Sequence, residues 1–343
     1  MTTPGFYRTS LAAIEATLPE VRRGVVKEIG RSAGGRPLWA VAYGEFEPTA
    51  RTANLSSALA ARQPEAFYGT RARRQQVMVI TSAIHGGEME SIAAVLNLIS
   101  IMETGADLKG QPWPELAEAA GKLRLVIVPC LNPDGRARVP SDDPTHWREA
   151  EIEKYRHGLR RDGSFITWPA CMAPHPRDPK EDGFLGSYFT DAGVNPVHGV
   201  FLPPEVAPEA HAAMRLALEE TADLVLDLHS CGVGPMFNVG DSPVPERYRL
   251  RQHYLDGFVR QSLRDRLGIH RNWTPWIVER VLTYPAACYH LCGALPMVFE
   301  GAYGNQPGFE FTHAQIVDMY LVMFEALAIV GAQEGFRPEP GSG

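Results

Sequence analysis

Two histidines and two glutamates of the chain stand where chemistry could be done. His85 and Glu88 lie three residues apart in SAIHGGEMES, and the two glycines between them let the chain bend both side chains onto one point. His229 closes the run LVLDLH and is followed by the small residues SCGVG, which leave room for an ion and a water. Glu300 closes PMVFE, just before GAYG. Two imidazole nitrogens and one carboxylate make a mixed ligand set that suits catalytic zinc and leaves one position for water. A second carboxylate that is not a ligand can take a proton from that water and deliver it to a leaving group. Asp227, two residues before His229 on the same strand face, is placed to orient the His229 ring. The spacing of His85 and Glu88 alone is common by chance. The two further strand ends give it weight.

The elements needed to position these groups are readable as an alternation. A helix is expected over 10–23, then a ribbon of two strands over Val25–Tyr43 that reverses at Ala33, Gly34 and Gly35. The run Gln76–Ala83 (QVMVITSA) is nearly all apolar, as in a strand covered on both faces of a parallel sheet. A helix over Glu90–Met102 should follow. Further helices are expected at Pro114–Gly121, Pro208–Ala222, Pro245–Leu267, Ala286–Leu291 and Thr312–Val330, with strands at Leu123–Cys130, Leu224–His229 and Pro296–Glu300. This alternation predicts an α/β protein, a three-layer α/β/α sandwich on a central mixed, mostly parallel sheet. The four reactive residues would then gather at the carboxyl edge, where open sheets bind ligands. Between Arg136 and Pro204 the periodicity fails and Pro, Gly, Asp and Trp dominate, which we read as a long loop walling the substrate pocket.

Bulk properties narrow the class. The chain has 343 residues, read as a single catalytic domain over 1–343, with 45% hydrophobic and 21% charged residues and a formal charge of -7. Its basic residues are interspersed with acids, which argues against a nucleic-acid or anionic-membrane partner and for a peptide or small-molecule substrate. The N-terminal stretch lacks the charged-then-apolar pattern of an export signal, and no run approaches about 18 uninterrupted apolar residues. Five cysteines without a CxxC pair read as buried reduced thiols, so a cytoplasmic protein is expected.

In these motifs the sequence resembles the zinc carboxypeptidases of the carboxypeptidase A type. EIGRSAGGRPLWAVAYG is similar to that family's N-terminal ribbon, IHGGEME to its first metal motif, CLNPDG to a strand end, DLHS to its second metal motif and VFEG to the segment of its catalytic Glu. The likeness spans about 24–330, and the 140 residues between Glu88 and His229 and the step of 71 to Glu300 are close to the family's. It implies one zinc per chain held by His85, Glu88 and His229, with Glu300 as general base and acid in cleaving a peptide or amide bond. The family's GVDLNRNF, whose Asn-Arg pair binds a substrate carboxylate, is matched with DAGVNPVHGVF, so Asn195 stands for the Asn and Pro196 replaces the Arg. A family Arg that polarises the scissile carbonyl has candidates in Arg148 and Arg138, while Arg160 and Arg161 offer a displaced carboxylate fork. The family's pocket Tyr is matched by Tyr284 or Tyr289. Loss of the Asn-Arg pair moves weight towards an alternative, a deacylase or amidase of small N-acyl amino acids; a non-catalytic binding protein is the third reading. His146, His157, His175 and His198 read as surface groups of the long loop, and His290 as a helix residue without a metal. Oligomeric state is left open.

Overall fold

A computed structural model describes residues 3–48, 54–64, 66, 75–178, 180–238, 244–270, 282–306 and 308–338. Among the described residues eleven strands follow one another: β1 (Val25–Arg31), β2 (Pro37–Tyr43), β3 (Val77–Ser82), β4 (Arg124–Val128), β5 (Gly158–Arg160), β6 (Asp182–Leu185), β7 (Leu224–Cys231), β8 (Met236–Asn238), β9 (Leu295–Ala302), β10 (Asn305–Gln306) and β11 (Phe309–Glu310). Seven of them form one sheet in the order β1-β2-β4-β3-β7-β9-β8. The four central strands run parallel, with Val79 opposite both Val126 and Val225 and with His229 opposite Glu300. The ribbon β1–β2 at one edge and β8 at the other run antiparallel to their neighbours. The sheet is therefore mixed and mostly parallel at its centre, as the alternation predicts.

Side-chain alternation along the central strands divides the core. Met78, Ile80, Leu125, Ile127, Leu226 and Phe299 face one apolar cluster, which contains the buried sides of helices Glu90–Thr104, Pro114–Gly121, Glu246–Leu267 and His313–Gln333. Val77, Val79, Val126 and Val225 face the other, under helices Pro208–Glu220 and Tyr284–Cys292. Three layers result. His313–Gln333 is long and apolar enough to cross a membrane, but most of its apolar stretch is buried in the protein, which marks it as a core helix.

Several expectations need correction. The first helix stops at Thr17 and passes into a 3₁₀ turn at Leu18–Glu20, because Pro19 has no N–H to continue the ladder. CLNPDG leads into a helix, Pro133–Arg138: the Asn132 side chain accepts from Gly135 N–H at 2.8 Å, and Pro133 takes the first turn, where no N–H is needed. The segment 136–204 is not structureless. It holds a one-turn helix (Glu149–Ile152), the antiparallel hairpin β5–β6, and a small core of Ile166, Cys171 and Phe189. All five cysteines are free thiols.

Candidate metal centre

The parallel strands bring their carboxyl ends to one edge, and three of the four reactive groups ride on adjacent strands or just beyond them. After β3 the chain turns at Ala83, held at a φ of 48°, a conformation that an alanine adopts only under constraint. The turn that follows is packed hard on its neighbours. Gly86 N–H donates to the Ser187 carbonyl at 2.9 Å, and a Cβ on Gly86 would overlap the backbone of Gly135 and Arg136. His85 and Glu88 are thereby turned towards the end of β7, where His229 sits across the ladder from Glu300.

His85 Nδ1 lies 3.0 Å from Glu88 Oε1, and His229 Nδ1 lies 3.0 Å from Glu88 Oε2. The candidate ligand atoms of the three residues all fall within 4.8 Å of one another, and all three side chains are buried. Both histidines present Nδ1 inward and anchor Nε2 behind. His229 Nε2 meets Asp227 Oδ2 at 2.9 Å, and Asp227 Oδ1 accepts from Thr81 at 2.6 Å. His85 Nε2 meets Asn195 Oδ1 at 3.2 Å. The amide of Asn195 is oriented by its own bonds, since its Nδ2 donates to Cys171 O (3.0 Å) and its Oδ1 also accepts from Val197 N–H (3.1 Å). His85 Nε2 must therefore be the donor, which leaves its Nδ1 lone pair for an ion. Two inward imidazole nitrogens with oriented outer nitrogens, plus a carboxylate, fit zinc by donor chemistry and by the support behind each ligand.

The charges of these groups depend on one another. Burial works to raise the Glu88 carboxyl, but the pull of His85 and His229 outweighs it and holds Glu88 well below the usual carboxylate range. At His229 burial favours the neutral ring, yet Asp227 and Glu88 overcome it and push its pKa well up. For His85 burial wins over Glu88 and the pKa falls. Burial raises the Glu300 carboxyl to about 7, with Glu88 adding to the effect and with His229 and the Asn238 amide (Nδ2 to Oε1, 3.0 Å) opposing it.

Two neighbours escaped the sequence reading, Tyr188 and Arg156, and a third, His198, is buried where the sequence reads a surface group. Tyr188 lays its ring flat on His85, with centroids 3.6 Å apart, and donates its hydroxyl to Glu88 Oε1 at 2.7 Å. Arg156 is wholly buried: it donates to the Ser230 carbonyl (3.0 Å) and to Glu90 (3.2 Å), and its guanidinium covers the Tyr303 ring at 3.7 Å. His198 is buried beside the ligands, near enough for His85 and His229 to weigh on its titration. All three lie in the aperiodic stretch 136–204. Only the Gly-Val step before Asn195 could have pointed to His198.

The other candidates lie elsewhere or do something else. Asn195 backs His85 and does not stand free to grip a substrate. Counted from Gly193-Val194 instead, Asn195 falls on the Asp of GVDLNRNF and His198, three residues on, falls on the Arg. Arg138 is spent on Asp191 (2.8 Å) and the Phe189 carbonyl. Arg148 is exposed at the start of its short helix. Arg160 donates to the Phe165 carbonyl at 2.6 Å, within its own hairpin. Tyr284 is buried in the core beneath helix Pro208–Glu220, and Tyr289 packs edge-on against Tyr248. His146 and His175 are exposed, His157 pairs with Glu153 at 2.7 Å, and His290 lies by Asn54.

The comparisons with known proteins bear on the fold and the family. The chain superposes on a metallo-carboxypeptidase from Burkholderia cenocepacia with a TM-score of 0.60 at 16% identity, covering 94% of this chain and 70% of that one. It superposes on a Pseudomonas aeruginosa metallo-carboxypeptidase, solved with (2-guanidinoethylmercapto)succinic acid, with a TM-score of 0.56 at 15% identity over 92% and 66% of the two chains. For bovine thrombin-activatable fibrinolysis inhibitor, bound to a tick carboxypeptidase inhibitor, the TM-score is 0.56 at 14% identity over 95% and 98%. At such identities these likenesses establish the fold alone. No curated protein sequence matches the chain. The zinc carboxypeptidase family profile matches residues 8–266, a span that includes both histidines and Glu88 and stops short of Glu300. With that span well over half its length, the chain belongs to the zinc carboxypeptidase family.

Proposed function

We propose that the protein hydrolyses a peptide or amide bond, with one zinc per chain held by His85, Glu88 and His229 and with Glu300 as general base and acid. One observation carries the reading: Glu300 faces His229 across the β7–β9 ladder, so an unligated carboxylate stands beside three converging ligands. Zinc, when bound, supplies a Lewis acid that polarises the carbonyl and makes water a stronger acid. Glu300 accepts the proton of the attacking water as the C–O bond forms, and returns it to the nitrogen as the C–N bond breaks. Asn238 holds the Glu300 carboxylate in line for both transfers. Asp227 and Asn195 keep the two rings in the tautomers that bind metal.

Between peptidase and deacylase, one feature favours the second reading. The segment Val194–Phe201 has no Arg or Lys, and the place of the family's carboxylate-binding Arg holds His198. Glu300→Gln tests the shared chemistry: it should cut kcat by about 10²–10⁴-fold while zinc is retained. Undiminished hydrolysis in that variant would remove Glu300 from the mechanism.

A further inference from the structure

His198 is an imidazole that the reaction above leaves unused. It is 2% exposed, and neither ring nitrogen has a hydrogen-bond partner among the described residues. The Leu282 backbone lies close enough to affect its titration without completing a bond of good geometry. Buried polar atoms are nearly always paired, so two orphaned nitrogens on one buried ring call for a partner from outside the chain. The backbone that carries the ring is also tied to a residue of the metal site, through the main-chain N–H of His198. His198 N–H donates to the Asn195 carbonyl at 3.1 Å, and Asn195 Oδ1 is the atom that meets His85 Nε2. One asparagine thus holds the His85 ring by its side chain and the His198 main chain by its carbonyl. Burial first, and then repulsion from His85, lower the His198 pKa to about 4, so the ring is neutral at neutral pH. A neutral imidazole offers one donor and one acceptor, where a guanidinium would fork onto a carboxylate.

We propose that His198 is a specificity-determining residue that makes a buried hydrogen bond to an uncharged polar group of the substrate, a carboxamide or an acyl carbonyl, beside the bond that is cut. The inference rests on the hydrolase reading and names the substrate chemistry that reading leaves open. It favours amides without a free carboxylate at this position.

The test uses the zinc-loaded protein, His198→Ala, His198→Phe and His198→Gln. Each is assayed on a panel of dipeptides and N-acyl amino acids, every one as free acid and as carboxamide, with kcat and KM measured separately. The wild type should cleave the carboxamide form at least as well as the acid. His198→Ala and His198→Phe should raise KM for the preferred form about tenfold or more with little change in kcat, and His198→Gln, which keeps a donor and an acceptor, should recover most of the loss. The phenylalanine fills the space, so it remains informative where the alanine variant folds poorly. A strict wild-type demand for the free acid, or an unchanged KM in both apolar variants, overturns the inference alone. A wild type that cleaves no member of the panel overturns the hydrolase reading and the inference with it.

Discussion

At the scale of the residue, the site depends on which nitrogen each histidine turns inward. Asp227 takes Nε2 of His229 and Asn195 takes Nε2 of His85, so both Nδ1 atoms face Glu88. The Asp227 contact was legible in the sequence, since residues two apart on a strand share a face. The Asn195 contact was not, because it joins residues 110 apart through a segment without periodicity. Tyr188 and Arg156 were missed, and His198 was read as a surface group, for the same reason. The two supports also differ in chemistry: a carboxylate raises the basicity of the ring it holds more than an amide does. Asp227→Asn should therefore weaken zinc binding by about 10–100-fold with the fold intact, as read by competition with a chromophoric chelator. Unchanged affinity would show that Asp227 serves only Thr81 and the strand.

At the scale of the element, three parallel strands do most of the positioning. β3, β7 and β9 are adjacent, so residues at or just past their carboxyl ends must converge. Their near-continuous apolar runs made them easy to recognise, and so did the long apolar helices. The hairpin β5–β6, with strands of three and four residues, is too short to carry a pattern, and the short edge strand β8 was missed likewise. The turn from His85 to Glu88 is rigid because it is wedged against helix Pro133–Arg138. Gly86→Ala would force a methyl into that backbone, with a cost of about 1–3 kcal/mol in stability and weakened zinc binding. Urea unfolding and zinc titration of this variant check both effects; wild-type values would mean that the turn can relax without moving its ligands.

At the scale of the whole molecule, the turn of the ribbon and helix Pro208–Glu220 are tied together by a buried carboxyl. Glu209 is wholly buried: its Oε1 accepts from Ala33 N–H at 2.8 Å, and its Oε2 has no partner among the described residues. Burial, the largest influence, pushes its pKa up to about 7. A carboxyl whose folded pKa exceeds its unfolded one stabilises the fold fully below the unfolded value, and that contribution is lost as pH rises through about 7. Glu209→Gln should thus match the wild type near pH 4.5 and exceed it at pH 8, by up to about 3 kcal/mol. Equal unfolding curves at pH 8 would contradict this. Fold class and family were legible because they rest on repeated strands and helices and on motifs at their ends; the substrate side was not, because it is built from the irregular segment between them. The central claim concerns the three ligands, and metal analysis after exhaustive dialysis tests it most directly. The wild type and Glu300→Gln should each retain about one zinc per chain, and His229→Ala should retain almost none. A full zinc complement in His229→Ala would contradict the assignment of the site.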